Sequence, residues 1–357
     1  RVNTMNNLVN SGYIYATSTT RFMGTVYAGG IIGMQTNQMG SVSQVFNEGN
    51  VDVIENQVFN MTLAGYGFID GSLKDIDSDF VFYSLTNTGR LRLVQPSGTS
   101  YTEVELAQMN VDVAGVVIAD SIDGEFYGLF NESDFAIDLA LLSQYAGVIN
   151  LRNTNESTII QSYNTGNITL TTLNLLTHAT VKISGNTLGQ NINFEQIRNE
   201  GDIAVEFDHS TSVASGNLYV YGLFEEVSQD MTAANGYNGG NISVIKDLAP
   251  VINYNINASG LAYRNSNTNY FAEHSIDPTS INISDIVGSM DNFINDGDIN
   301  ILGSFNGNSR TSGGVIINES SITSIANLGN IINQNDILVV NGKVESAGIV
   351  DLMIGQY

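Results

Sequence analysis

Cysteine is absent from the 357 residues, which excludes disulfide scaffolds, Cys-ligated zinc, iron–sulfur clusters and thiol catalysis. Basic residues are scarce: 12 Lys plus Arg face 36 Asp plus Glu, for a formal net charge of -24. Nucleic-acid backbones and anionic membrane surfaces demand clustered cations, so neither is an expected partner. No run approaches the roughly 20 apolar residues that cross a bilayer, so no direct membrane insertion is expected. The first residues do not form a charged stretch followed by an apolar one. The chain starts at Arg1 and is expected to be a single domain over 1–357, excised from a longer polypeptide. HExxH, GxSxG and a phosphate-cradling loop ending in GK and Ser or Thr are all missing.

What remains is β-rich. Proline occurs only at Pro96, Pro250 and Pro278, glycine reaches 36, and apolar residues make up 42% of the chain. Runs such as VSQVF, VFYSL and LYVYGLF, separated by Asn, Gly, Asp and Ser, read as short strands joined by tight turns. Helical spacing is confined to short stretches at 104–110, 134–146 and 284–294, the second of which also alternates like a strand. The expected class is all-β.

A repeat organises the chain. Asn followed two places later by Gly recurs at Asn10, Asn47, Asn87, Asn164, Asn199, Asn238, Asn295 and Asn327, and a ninth copy at Asn131 carries Ser133 in place of Gly. A second series, Gly29, Gly65, Gly115, Gly147, Gly185, Gly222, Gly260, Gly314 and Gly348, alternates with it at the same mean period of about 40 residues. Four places after each Asn the residue is apolar in every copy, and two further on in all but Asn333. Five places before it stand Met5, Val42, Phe82, Phe126, Ile159, Phe194, Ala233, Met290 and Ile322.

Side chains two apart on a strand share a face. One unit of a few short strands cannot bury that face alone, whereas stacked copies make a continuous core. The expectation is a right-handed parallel β-solenoid of about nine degenerate repeats, favoured over a β-sandwich, which also uses short strands and turns. Asn would bond its own turn or the next Asn along the axis, and Gly would supply positive φ. Each unit makes one turn of the solenoid or two; Asn opposite Asn favours one. Like charges stacked in the turns are expected to repel, so that salt stabilises the rod.

Gly29 to Val53, GGIIGMQTNQMGSVSQVFNEGNVDV, resembles the GLUG repeat family, as do 146–168 and 312–331. In that family's terms Gly29, Gly30 and Gly33 open the unit, Gly40 starts the middle strand, and Gly49 with Asn50 closes the turn. The resemblance implies a solenoid part of a large bacterial cell-surface or secreted protein, as in adhesins and accessory regions of immunoglobulin A-cleaving metallopeptidases, with no catalytic residues to transfer.

The residues themselves offer little chemistry. His178, His209 and His274 sit at unrelated phases of the repeat, which argues against a three-His metal site. Acidic turns at Asp202, Asp296 and Asp298 could hold calcium weakly; solvated turn acids are the simpler reading, and no cofactor is expected. The period stretches near 95–108 and 262–292, and extra residues leave a solenoid as loops on one face. Tyr263, Arg264, Tyr270, Phe271 and His274 in the second insertion are the candidate partner-binding residues. The expected function is a non-catalytic extracellular adhesin or stalk module at a cell surface, binding a protein or glycan and joined to flanking domains. The alternatives are a spacer of a secreted peptidase and a polysaccharide-cleaving β-helix enzyme.

Overall fold

In the computed structural model, the described residues are 4–18, 22–35, 41–55, 58–70, 80–94, 110–152, 154, 156–207, 215–227, 231–246, 253–265, 289–303, 305, 307–318, 321–335 and 344–353. Among them there is no helix. Nine parallel strands make the first sheet: Thr4–Asn10, Ser41–Asn47, Phe80–Asn87, Gly124–Asn131, Ser157–Asn164, Ile192–Asn199, Thr232–Asn238, Ser289–Asn295 and Ser321–Asn327. Each ends on the repeat Asn and opens one rung, and we number the rungs 1 to 9 from these strands. After the Asn turn the chain enters a second long parallel sheet, then a third. The third bends at a glycine corner into a short limb before the next rung begins. One unit of about 40 residues is therefore one rung, and the architecture is a parallel β-solenoid. At about 4.8 Å per rung, the nine give a rod roughly 43 Å long.

The apolar column after the turn stacks as expected: Ile14, Val51, Leu91, Phe135, Ile168, Ile203, Ile242, Ile299 and Ile331 are consecutive partners. Stretch 134–146, with its mixed pattern, lies on the strand Phe135–Arg152. Asn333, the polar exception in the column two residues further on, bonds the hydroxyl of Ser309 at 2.9 Å.

Two apolar layers form the interior. One lies between the second and third sheets, around Val51, Leu63, Ile168 and Val220. The other lies between the first sheet and the limb, around Val42, Phe82, Phe126 and Phe224. The repeat asparagines divide them. Side-chain amide Nδ2 of each donates to Oδ1 of the next, from Asn10 to Asn327 in eight unbroken links of 2.7–2.9 Å. The second Nδ2 hydrogen goes to the carbonyl two residues on, as from Asn199 to Gly201 at 3.0 Å. The buried amides are thus bonded on both their donor and acceptor sides, which is the condition for placing them in a core at all.

Glycine at the turn has a different reason from the one expected. None of the turn glycines takes positive φ. A Cβ on Gly89, Gly201, Gly240, Gly297 or Gly329 would come closer than 3.0 Å to the carbonyl of the equivalent residue one rung back, so close approach of backbones decides the residue. The second glycine series also needs correction. Gly29 pairs with Ala64, which places Gly30 level with Gly65, and Gly147 pairs with Ala114. Residues in phase there press on the Asn ladder: a Cβ on Gly65, Gly115 or Gly222 would sit 2.6–2.7 Å from Cγ of Asn87, Asn131 or Asn238.

Positive φ occurs elsewhere, three places before every Asn, at Asn7, Gln44, Ser84, Gly128, Gln161, Gln196, Asn235, Asn292 and Ser324. This left-handed residue shifts the strand's alternation, so that Val42, Val45 and Asn47 all point inward while Gln44 is exposed. Exposed members of the column link outside the rod, as Gln161 to Gln196 at 3.1 Å and Asn292 to Asn235 at 2.7 Å.

Burial pushes the phenols of Tyr66 and Tyr254 far above their ordinary value. Their unfolded value is about 10, so the unfolded chain loses these protons first and stability falls as pH rises past that point. Absorbance at 295 nm is expected to show two tyrosines that ionise only with unfolding in strong alkali. Ionisation of all sixteen ahead of the loss of β circular dichroism would contradict that burial.

Candidate functional site

Because the glycine corner presses inward against the asparagines, the outer surface beside it is concave. A longitudinal groove runs there between the third sheet and the limb. Residues on its walls face outward by strand alternation yet are buried: Ala114, Ile118 and Phe68 toward rungs 2 and 3, then Asp112, Asn150, Leu188 and Glu225 toward rungs 3 to 6. Tyr27 stacks on Phe68 with centroids 5.0 Å apart, which fills the groove with apolar surface at rungs 1 and 2.

Further along, the groove turns polar. Arg152 of the limb pairs with Asp112 of the third sheet, Lys182 of the third sheet pairs with Glu225 of the limb, and Arg310 reaches Asp351 across the same divide at 3.8 Å. Three ion pairs thus bridge the two walls. Asn150 adds a donated bond to the Val113 carbonyl at 3.0 Å. A cavity of about 320 Å³ opens here, lined by Asn110, Asp112, Asn150, Arg152, Leu188 and Glu225 among others. Burial lowers the Arg152 guanidinium from its ordinary value, and the charge on Tyr27 acts in the opposite direction.

Asp112 is only 4% exposed in its side chain. Replacing Arg152 with Met strands that carboxylate, and a loss of about 3 kcal/mol is expected, the low end for a broken buried pair because the guanidinium is partly exposed. Arg198, whose guanidinium lies 4.8 Å over the Tyr237 ring on the open face of the first sheet, is expected to cost less than about 1 kcal/mol on truncation. Urea unfolding of both variants checks the contrast.

Of the partner-binding candidates, Tyr263 and Arg264 lie on the limb strand Ala262–Asn265 of rung 7. Arg264 is the strand partner of Glu226, one rung beyond the cavity. Tyr270, Phe271 and His274 lie outside the described residues, as does the insertion at 95–108. Of the stretch 262–292, residues 262–265 and 289–292 lie on the strands Ala262–Asn265 and Ser289–Asn295. His209 and His274 are likewise undescribed, and His178 falls on the strand Ile168–Ser184.

The turn acids are engaged between rungs. Asp202 Oδ1 accepts the backbone N–H and side-chain amide of Asn241 at 2.7 and 3.0 Å, and Asp298 does the same for Asn330. Asp296 accepts the Tyr237 hydroxyl at 3.1 Å. Among the described residues no group of three or more His, Asp or Glu is arranged to hold a metal.

Sequence reasoning missed Asp112, Arg152, Lys182 and Glu225. The scarcity of cations is the signal that could have found Lys182, whose place three residues before Gly185 puts it on the groove wall once the corner is known. The aromatics on the outer face of the first sheet, Tyr83 on Tyr127 and Phe130 on Tyr163, stack at 4.9 and 5.6 Å from rung to rung. One face of each ring is covered by its partner. No protein-family model, curated protein or solved structure matches this chain.

Proposed function

We propose that this chain is a non-catalytic, extracellular rod module of a bacterial surface protein, an adhesin or stalk that carries a groove to a protein or glycan partner. The observation that supports this is the unbroken ladder of nine asparagines, seven of them buried, running from rung 1 to rung 9, which ties the whole length into one unit. The likeness to GLUG repeats points the same way. The test is binding of labelled chain to glycan arrays, matrix proteins and whole cells. Saturable binding that weakens on replacing Tyr263 and Arg264 with Ala is expected, and no binding to any of these surfaces would remove the adhesive part of the reading.

A polysaccharide-cleaving reading draws on one specific feature, the carboxylates Asp112 and Glu225 beside Arg152 and Lys182 in a groove. Each cation is already neutralised by a carboxylate, so neither is spare to hold an anionic sugar. Incubation with acidic and neutral glycans is expected to release no reducing-end or unsaturated product; release of either would establish the enzyme instead.

A further inference from the structure

The cavity at rungs 3 to 6 has an acceptor to spare, and the cations beside it are paired with carboxylates. Asp112 Oδ2 pairs with Arg152, while its Oδ1 is buried with no hydrogen-bond partner among the described residues. Leaving a carboxylate oxygen unmet in a buried place costs the desolvation of that atom, so the position is made for an incoming donor. Glu225 brings a second carboxylate to the same lining, and its cation, Lys182, approaches from the opposite wall. On the donor side, Arg152 is turned to Asp112 and the Asn150 amide nitrogen to the Val113 carbonyl. Leu151, Leu188 and Gly189 supply an apolar side. An anion would meet two carboxylates and cations already paired with them. A hydroxyl could donate to Oδ1, yet it gains nothing from the field of a chain carrying -24, whereas a cation does.

We infer that this cavity binds a primary alkylammonium, the group that ends a lysine side chain, with N–H donated to Asp112 Oδ1 and the methylene stem along Leu188. The inference rests on reading the groove as the binding face, and it names the chemistry that face takes. A soluble diamine and a lysine presented by a partner protein offer the same group.

The experiment is calorimetric and NMR titration of the 357-residue chain with n-butylammonium, with n-butanol, butyrate and tetramethylammonium as controls. n-Butylammonium is expected to bind saturably, with a dissociation constant of roughly millimolar order, and the controls to show no saturation. Asp112→Asn should weaken n-butylammonium by about tenfold or more. Because that change leaves Arg152 without its partner, Leu188→Phe serves as a second variant that fills the cavity with no change of charge, each variant first being shown folded by circular dichroism. A blocked Gly-Lys-Gly peptide separates the sources: binding equal to that of n-butylammonium assigns the site to a protein lysine, and exclusion of the peptide assigns it to a free amine. Equal binding of tetramethylammonium would reduce the effect to general attraction by an acidic rod, and equal binding of n-butanol would make this a hydroxyl site. Either result overturns the inference, as does n-butylammonium binding that survives Leu188→Phe. Cell and matrix binding is read separately, so loss of the adhesin reading leaves this result standing, and the reverse.

Discussion

Gly201→Ala is expected to cost the rod about 3–5 kcal/mol, while Gly12→Ala leaves its stability nearly intact. A Cβ on Gly201 would lie 2.6 Å from the Gly166 carbonyl carbon, closer still to its oxygen, and 3.0 Å from Asn164 Nδ2. Backbone has no rotamer with which to yield, so the rungs must part locally. Parting them stretches the Glu200 N–H bond to the Asn164 carbonyl, 2.7 Å, and the Asn164–Asn199 amide bond, 2.8 Å. Overpacking costs about 1–3 kcal/mol and each of the two hydrogen bonds about 1 kcal/mol, for a total of order 3–5 kcal/mol against a usual stability of about 5–15. Rung 4 accepts Ser133 in this column, so the spacing yields where neighbours suit it. Gly201 is confined on both sides, since a Cβ on Gly240 would in turn meet the Gly201 carbonyl closer than 3.0 Å. A Cβ on Gly12 meets only Asn10 Oδ1, at 3.4 Å, an ordinary contact, and should cost less than about 1 kcal/mol. Urea midpoints of the two variants, read by circular dichroism, decide it; equal midpoints would mean that turn spacing is not what selects glycine.

That pair of glycines shows where the sequence was legible and where it was not. In a stacked fold each position touches its own counterpart, so identical demands recur and leave identical residues. Asn and Gly columns, and the apolar column through Ile168, Ile203 and Ile242, were therefore plain at a period of about 40. The cause of the glycine was not plain, because turn φ and interstrand clearance select the same residue. The left-handed column escaped notice altogether. Gln44, Ser84, Gly128 and Asn235 share a backbone conformation and no side-chain chemistry, and Gln and Ser are not residues that advertise it.

Charge was misjudged for a similar reason. Stacked acids were expected to repel, yet the outer turn column reads Asp134, Asn167, Asp202, Asn241, Asp298, Asn330. Asp202 and Asp298 are flanked by amides, and Asp134 by Asn167 and Arg90, which holds like charges two rungs apart, about 10 Å and close to one screening length at 0.1 M salt. The groove lay beyond the repeat's reach. Its ion pairs join different columns in different rungs, Arg152 to Asp112 and Lys182 to Glu225, and a pattern that averages over rungs erases what only one rung contains.

Asn199→Leu is the counterpart on the ladder itself, and a loss of about 4 kcal/mol or more is expected. Leucine keeps the branched outline with bulkier methyl groups and supplies none of the bonds. Asn164 Nδ2 loses its acceptor at 2.8 Å, Asn238 Oδ1 its donor at 2.8 Å, and the Gly201 carbonyl its donor at 3.0 Å. Three buried polar groups at about 1–3 kcal/mol each exceed anything the added apolar area returns. Asn330→Ala, which deletes an exposed amide bonded to Asp298 at 3.0 Å, should cost less than about 1 kcal/mol. Asn199→Asp separates loss of bonding from loss of packing. Its first oxygen can still accept from Asn164, but its second would face the Gly201 carbonyl, acceptor against acceptor, unless it carries a proton. The folded state therefore holds that proton more tightly than the unfolded chain, whose aspartate value is about 3.9. Stability of Asn199→Asp should accordingly fall as pH rises above that value and recover in acid, relative to the parent at each pH. A difference that is flat from pH 3 to pH 7 would show that the Asn column is held by shape, with the direction of its amide chain playing no part.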